Sequence, residues 1–65
     1  ATARGSESEI AHVKYRLALI DENDENYRNA TENAEGALKT FVRLGNMDFI
    51  GKCEDLITRL RHHNP

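Results

Sequence analysis

The sequence predicts an all-α fold: a small bundle of two or three antiparallel helices over about residues 7–20, 24–44 and 47–61. The first observation behind this is apolar spacing. Ile10, Val13, Leu17 and Ile20 recur at steps of three and four. So do Tyr27, Ala30, Ala34, Leu38 and Phe41, and then Phe49, Cys53, Leu56, Ile57 and Leu60. Such steps keep residues on one helical face, whereas a strand would alternate. The second observation is a pair of interruptions, the polar run 21–26 (DENDEN) and the Gly45-Asn46 step. The third is length, since 65 residues make at most one domain with a modest core.

Residues 1–6 (ATARGS) are expected to be a disordered tail or a vector-derived remnant, leaving a single helical domain over 7–62. Helix 1 opens on Ser6-Glu7-Ser8-Glu9. Ser6 with Glu9 three residues on fits a capping box, and Ser8 is an equal candidate cap. The acidic run 21–26 opposes the dipole of a helix it ends and favours that of a helix it begins. A turn is therefore expected there, with Asn23 or Asp24 capping helix 2. The alternative is one continuous helix over about 7–44, because the heptad frame 10, 13, 17, 20 continues through 27, 34, 38 and 41 without a slip. Helix 2 ends at Gly45-Asn46, both tolerant of the left-handed conformation, with Lys39 and Arg43 in its last turns. Asn46 or Asp48 can cap helix 3. Pairs at i, i+4 occur at Asp24–Arg28, Glu35–Lys39 and Asp55–Arg59 and mark solvated faces.

Helices 2 and 3 each carry one clean apolar stripe and are expected to cover a common core. The small residues Ala30, Ala34 and Ala37 of helix 2 would receive bulk from Leu17, Ile20, Leu56 and Ile57. Helix 1 carries apolar residues on two faces. Ile10, Val13, Leu17 and Ile20 are expected to point to the core. Tyr15 and Leu19, with His12 beside them, lie nearly opposite. Either helix 1 is the central element, or that second face meets a partner. Tyr15, Leu19 and His12 are thus the candidate partner-binding residues.

Nine basic and eleven acidic residues give a formal charge of −2, which argues against a general polyanion binder. No apolar run reaches the ~18 residues that a membrane span requires. Cys53 stands alone, so no internal disulfide can form. A single thiol suits a reducing compartment, and a cytoplasmic location is expected.

Little in the chain suggests chemistry. His62 and His63 are adjacent and point about 100° apart on a helix, unlike an i, i+4 zinc pair. Cys53 sits mid-stripe, where a thiol is a small core group and not a nucleophile. His12 on a helix has the exposure a phosphoryl acceptor needs, but no small neighbours follow it. The glycines form no phosphate loop, and the acidic run lacks calcium-loop spacing. No enzyme activity, cofactor or metal is therefore expected. The expected function is that of a protein–protein interaction module, a homodimerisation or docking domain with a regulatory or adaptor role. The alternative is a small DNA-binding regulator. Its recognition helix would, however, turn Asp48, Glu54 and Asp55 toward phosphates.

Overall fold

A computed structural model of the chain describes residues 3–63. Three helices follow one another: α1 (Ala3–Asn23), α2 (Tyr27–Leu44) and α3 (Met47–His63). They form an up-down-up bundle. The start of α1 meets the end of α2 through the Glu7–Arg43 ion pair, and the end of α1 meets the end of α3 through Glu22–Arg59. α2 packs against both neighbours and is the central element, a place that helix 1 was one candidate to fill. Residues 1 and 2 of the expected tail lie outside the described residues. Residues 3–6 continue α1, so Ser6 is inside the helix and does not cap it.

The chain breaks between α1 and α2, and the continuous-helix alternative is not adopted. The break uses the same device as the turn after α2. The Asn26 amide donates to the Asp21 carbonyl (2.8 Å) and the Glu25 amide to the Glu22 carbonyl (3.0 Å), with Glu25 left-handed at φ 63°. At the second turn the Asn46 amide donates to Phe41 (3.0 Å) and the Gly45 amide to Val42 (3.1 Å), with Gly45 at φ 74°. Both are Schellman closures, which satisfy carbonyls that a helix end leaves unpaired. The N-cap of α2 is Asn26, in place of Asn23 or Asp24, and its side chain makes no cap bond. The expected Asn46 does cap α3, its Oδ1 accepting from the Phe49 amide at 3.4 Å.

The core lies along α2. Ala18, Ala30, Ala34, Leu56, Ile57 and Leu60 form one buried cluster, flanked by Tyr15, Leu19, Tyr27 and Leu38. Ala11, Ala37, Phe41 and Cys53 form a second, flanked by Phe49 and Ile50. Leu56, Ile57 and Leu60 are buried as the α3 stripe predicts. On α2 the stripe is buried at Ala30, Ala34 and Phe41, half-buried at Tyr27 and Leu38, and open at its edge, where Val42 is 56% exposed.

The face of α1 is the opposite of the one expected. Ala11 and Ala18 are buried, with Tyr15 and Leu19 packed beside them, while Ile10, Val13, Leu17 and Ile20 face outward. The reason is steric. α2 presents Ala30, Ala34 and Ala37 to α1. A row of alanines fills space only if the facing helix comes close, and close approach needs small residues opposite. Ala11 and Ala18 are seven apart, as are Ala30 and Ala37, so two rows of small side chains meet in register. Turning Leu17 and Ile20 inward would hold the helices apart and leave voids at the alanines.

The ion pairs are also not those expected. Among the described residues none of the three i, i+4 pairs closes within ion-pair distance. Glu22–Arg59 and Glu7–Arg43 cross between helices instead. They reach from the flanks of α1 to α3 and α2, and both fit only the observed rotation of α1.

Candidate functional site

The outer face of α1 is the most unusual surface of the molecule. Ile10, Val13 and Ile20 are each 54% exposed and Leu17 is 43% exposed. Single exposed aliphatic residues are ordinary, but four on one helical stripe are not. They sit one turn apart over about three turns. Their orientation is fixed from behind, by Ala11, Tyr15, Ala18 and Leu19 in the core.

Charged residues edge the stripe on both sides. On the α2 side, the Lys14 stem lies over Gly36, where a Cβ would meet its Cδ and Nζ at 3.4 Å. On the same side, Asp21 accepts a hydrogen bond from Asn33 Nδ2 at 3.0 Å. On the α3 side stand Glu9 and Arg16, both exposed. Among the described residues Glu9, Lys14 and Arg16 enter no ion pair.

The residues expected to bind a partner, His12, Tyr15 and Leu19, are brought together, but on the inner flank of α1. They line a shallow groove of about 630 Å³ between α1 and α3, with Phe49 and Lys52 on its far wall. The His12 ring meets Phe49 edge-on at 4.4 Å and Phe41 at 5.1 Å, and Tyr15 meets Phe49 edge-on at 5.7 Å. Lys52 Nζ lies 5.0 Å from the Phe49 ring centre. The His12–Phe49 and Tyr15–Phe49 contacts join α1 to α3, whose backbones come near each other at few points. Tyr15 and Leu19 therefore contribute first to the fold, and the exposed apolar stripe of α1 lies beyond them, with Val13 at the edge it shares with the groove. Residue spacing showed both faces of α1. Chain volume decides between them, and the signal for it was the matched alanine spacing.

Other chemistry-bearing groups are accounted for by the fold. Cys53 is fully buried, and burial pushes its thiol above the ordinary range, with Glu54 adding to the effect. Such a thiol is a poor nucleophile. Glu22 accepts two hydrogen bonds from Arg59, each 2.8 Å long. These hold its carboxyl below the usual value, against a smaller opposing effect of burial. His63 stacks on Tyr27 at 5.0 Å, fastening the end of α3 to the start of α2. Among the described residues no three His, Cys, Asp or Glu side chains gather where a metal ion could bind. Nor is any helix among them long and apolar enough to cross a membrane. The chain matches no known protein family, no curated protein and no solved structure.

Proposed function

We propose that this chain is a protein–protein interaction module, a dimerisation or docking domain of regulatory type, and that it binds through the outer stripe of α1. The observation that carries this reading is the stripe itself: four large aliphatic side chains turned to solvent by the alanines buried between α1 and α2. A chain of this size buries little apolar surface on its own. It has no disulfide and holds one free thiol, so association is the remaining source of added burial. Each Å² of apolar surface withdrawn from water contributes about 25 cal/mol, and a self-complementary contact counts the stripe twice. Catalysis finds no support, because no nucleophile and base are paired in the groove or elsewhere among the described residues.

The test is mass in solution, by light scattering from micromolar to millimolar concentration. The parent is expected to associate as concentration rises. A variant carrying Val13→Glu and Leu17→Glu is expected to stay monomeric with an unchanged helical circular-dichroism spectrum, since neither side chain is in the core. A parent that is monomeric throughout would overturn self-association. Unfolding of the variant at all concentrations would place the stripe in the core after all.

A further inference from the structure

We infer that the outer stripe of α1 is occupied by the same stripe of a second copy, with the two α1 helices parallel and in register. This rests on the interaction reading above and adds the partner and its orientation. The argument starts from heptad geometry. Ile10, Val13, Leu17 and Ile20 are spaced three, four and three, the step of a two-helix seam. The positions beside the seam are then Glu9 and Arg16 on one edge and Lys14 and Asp21 on the other. In a parallel in-register pair, a residue on the first edge meets the residue five further along on the second edge of the partner. Glu9 then meets Lys14 of the second copy, and Arg16 meets Asp21. Both pairs have opposite charge, and the twofold axis doubles each.

The antiparallel arrangement fails on the same residues. Setting Ile10 against Ile20 and Val13 against Leu17 of the other copy puts the crossing point beside residue 15. Lys14 and Arg16 then gather with their own counterparts at the crossing, with like charges together. Flanking charges of this kind set partner choice and orientation in helix pairs.

The bundle also sets the number of copies. In free helices the β-branched Val13 and Ile20 at the second seam position would favour three or four strands. Higher assemblies bury the flanking positions as well as the seam. Here one flank is closed: Lys14 and Asp21 are half-buried against α2, while Glu9 and Arg16 stand exposed at the edge of the groove toward α3. A third helix would need both flanks, so with α2 covering one of them the stripe admits one partner helix. A seam of two heptads is too short to fold isolated helices. In this chain α1 is already formed by its packing on α2, so the contact bears no cost of nucleating a helix.

Two variants test the orientation. Glu9→Lys alone sets the new ammonium against Lys14 of the second copy twice per dimer, and Lys14→Glu alone sets two carboxylates together. Each is expected to raise the dissociation constant about tenfold over the parent. Mixed in equal amounts, the two restore parental affinity, because every pair in the mixed dimer is again opposite in charge. Disulfide formation supplies an independent reading. Val13→Cys, with Cys53 left in place, is expected to form a 13–13 disulfide on mild oxidation, since in-register parallel helices bring the two residues face to face. A parent that dimerises, but whose variants do not complement each other, or whose Val13→Cys form links only when paired with Leu17→Cys, would overturn the parallel register. The self-association reading would survive that result. A monomeric parent would overturn both.

Discussion

At the residue scale, the two turns form a matched pair that differs in one side chain. Both close with a left-handed residue, Gly45 in one and Glu25 in the other. A side chain in that conformation crowds the following carbonyl at a cost of roughly 1–2 kcal/mol, which glycine avoids. Glu25 is exposed, so no contact offsets the strain. Glu25→Gly should therefore stabilise the fold by about 0.5–1 kcal/mol, after allowing for the greater freedom of glycine in the unfolded chain. Gly45→Ala should destabilise it by about 1 kcal/mol. Denaturant titrations of both variants check this, and equal midpoints would refute it. The glycine turn was legible in the sequence, because Gly-Asn after an apolar run is a closing signal. The glutamate turn was legible only as a polar run, because no residue in it announces a positive φ.

At the scale of elements, the existence of the helices followed from periodicity; the extent of α1, Ala3–Asn23 in place of about 7–20, and its rotation did not. Hydrophobic spacing identifies a stripe but cannot say whether the stripe faces the core when a helix carries two. Ala11 and Ala18 add little apolar area, so they carry little weight in a hydrophobic pattern. They decide the packing because they are small. The candidate site moved with them: His12, Tyr15 and Leu19 come together in space, but along the α1–α3 groove. What fixes α1 against α3 includes the Glu22–Arg59 pair, and this gives a pH prediction. The folded carboxyl of Glu22 lies below its unfolded value near 4.5. The stabilisation is therefore present above that value and is lost as pH falls through the lower folded one. Arg59 is half-exposed, so the contribution is about 1 kcal/mol or less. Melting temperatures of the parent and Glu22→Gln from pH 7 to acid, roughly pH 3, should differ at the neutral end and converge at the acid end. Parallel curves would show that the pair contributes nothing.

At the scale of the whole molecule, the core is small enough that one residue matters greatly. Stability of about 0.05–0.15 kcal/mol per residue gives a chain of this size only about 3–10 kcal/mol. Leu56 is 1% exposed in the larger cluster, and Leu56→Ala should cost about 2–5 kcal/mol. Leu17→Ala removes the same atoms from the outer stripe. It should cost far less in dilute solution and abolish the rise of melting temperature with concentration that a dimer imposes. The two melts, each run across a concentration series, separate core from contact surface. If both variants lose equal stability at every concentration, the division between the two faces of α1 is wrong.

The Schellman turns after α1 and α2 also bear on how fast the chain finds its structure. Each joins neighbouring helices through only two or three residues, so α1 with α2, and α2 with α3, meet across short lengths of chain. Bundles rich in such sequence-near contacts fold in about microseconds to milliseconds. The His12–Phe49 contact and the Glu22–Arg59 pair join the first helix to the third, and need both turns closed before they can form. They are expected to form after the alanine hairpin of α1 and α2 is in place. Loss of these contacts would therefore speed unfolding and leave the rate of folding nearly unchanged.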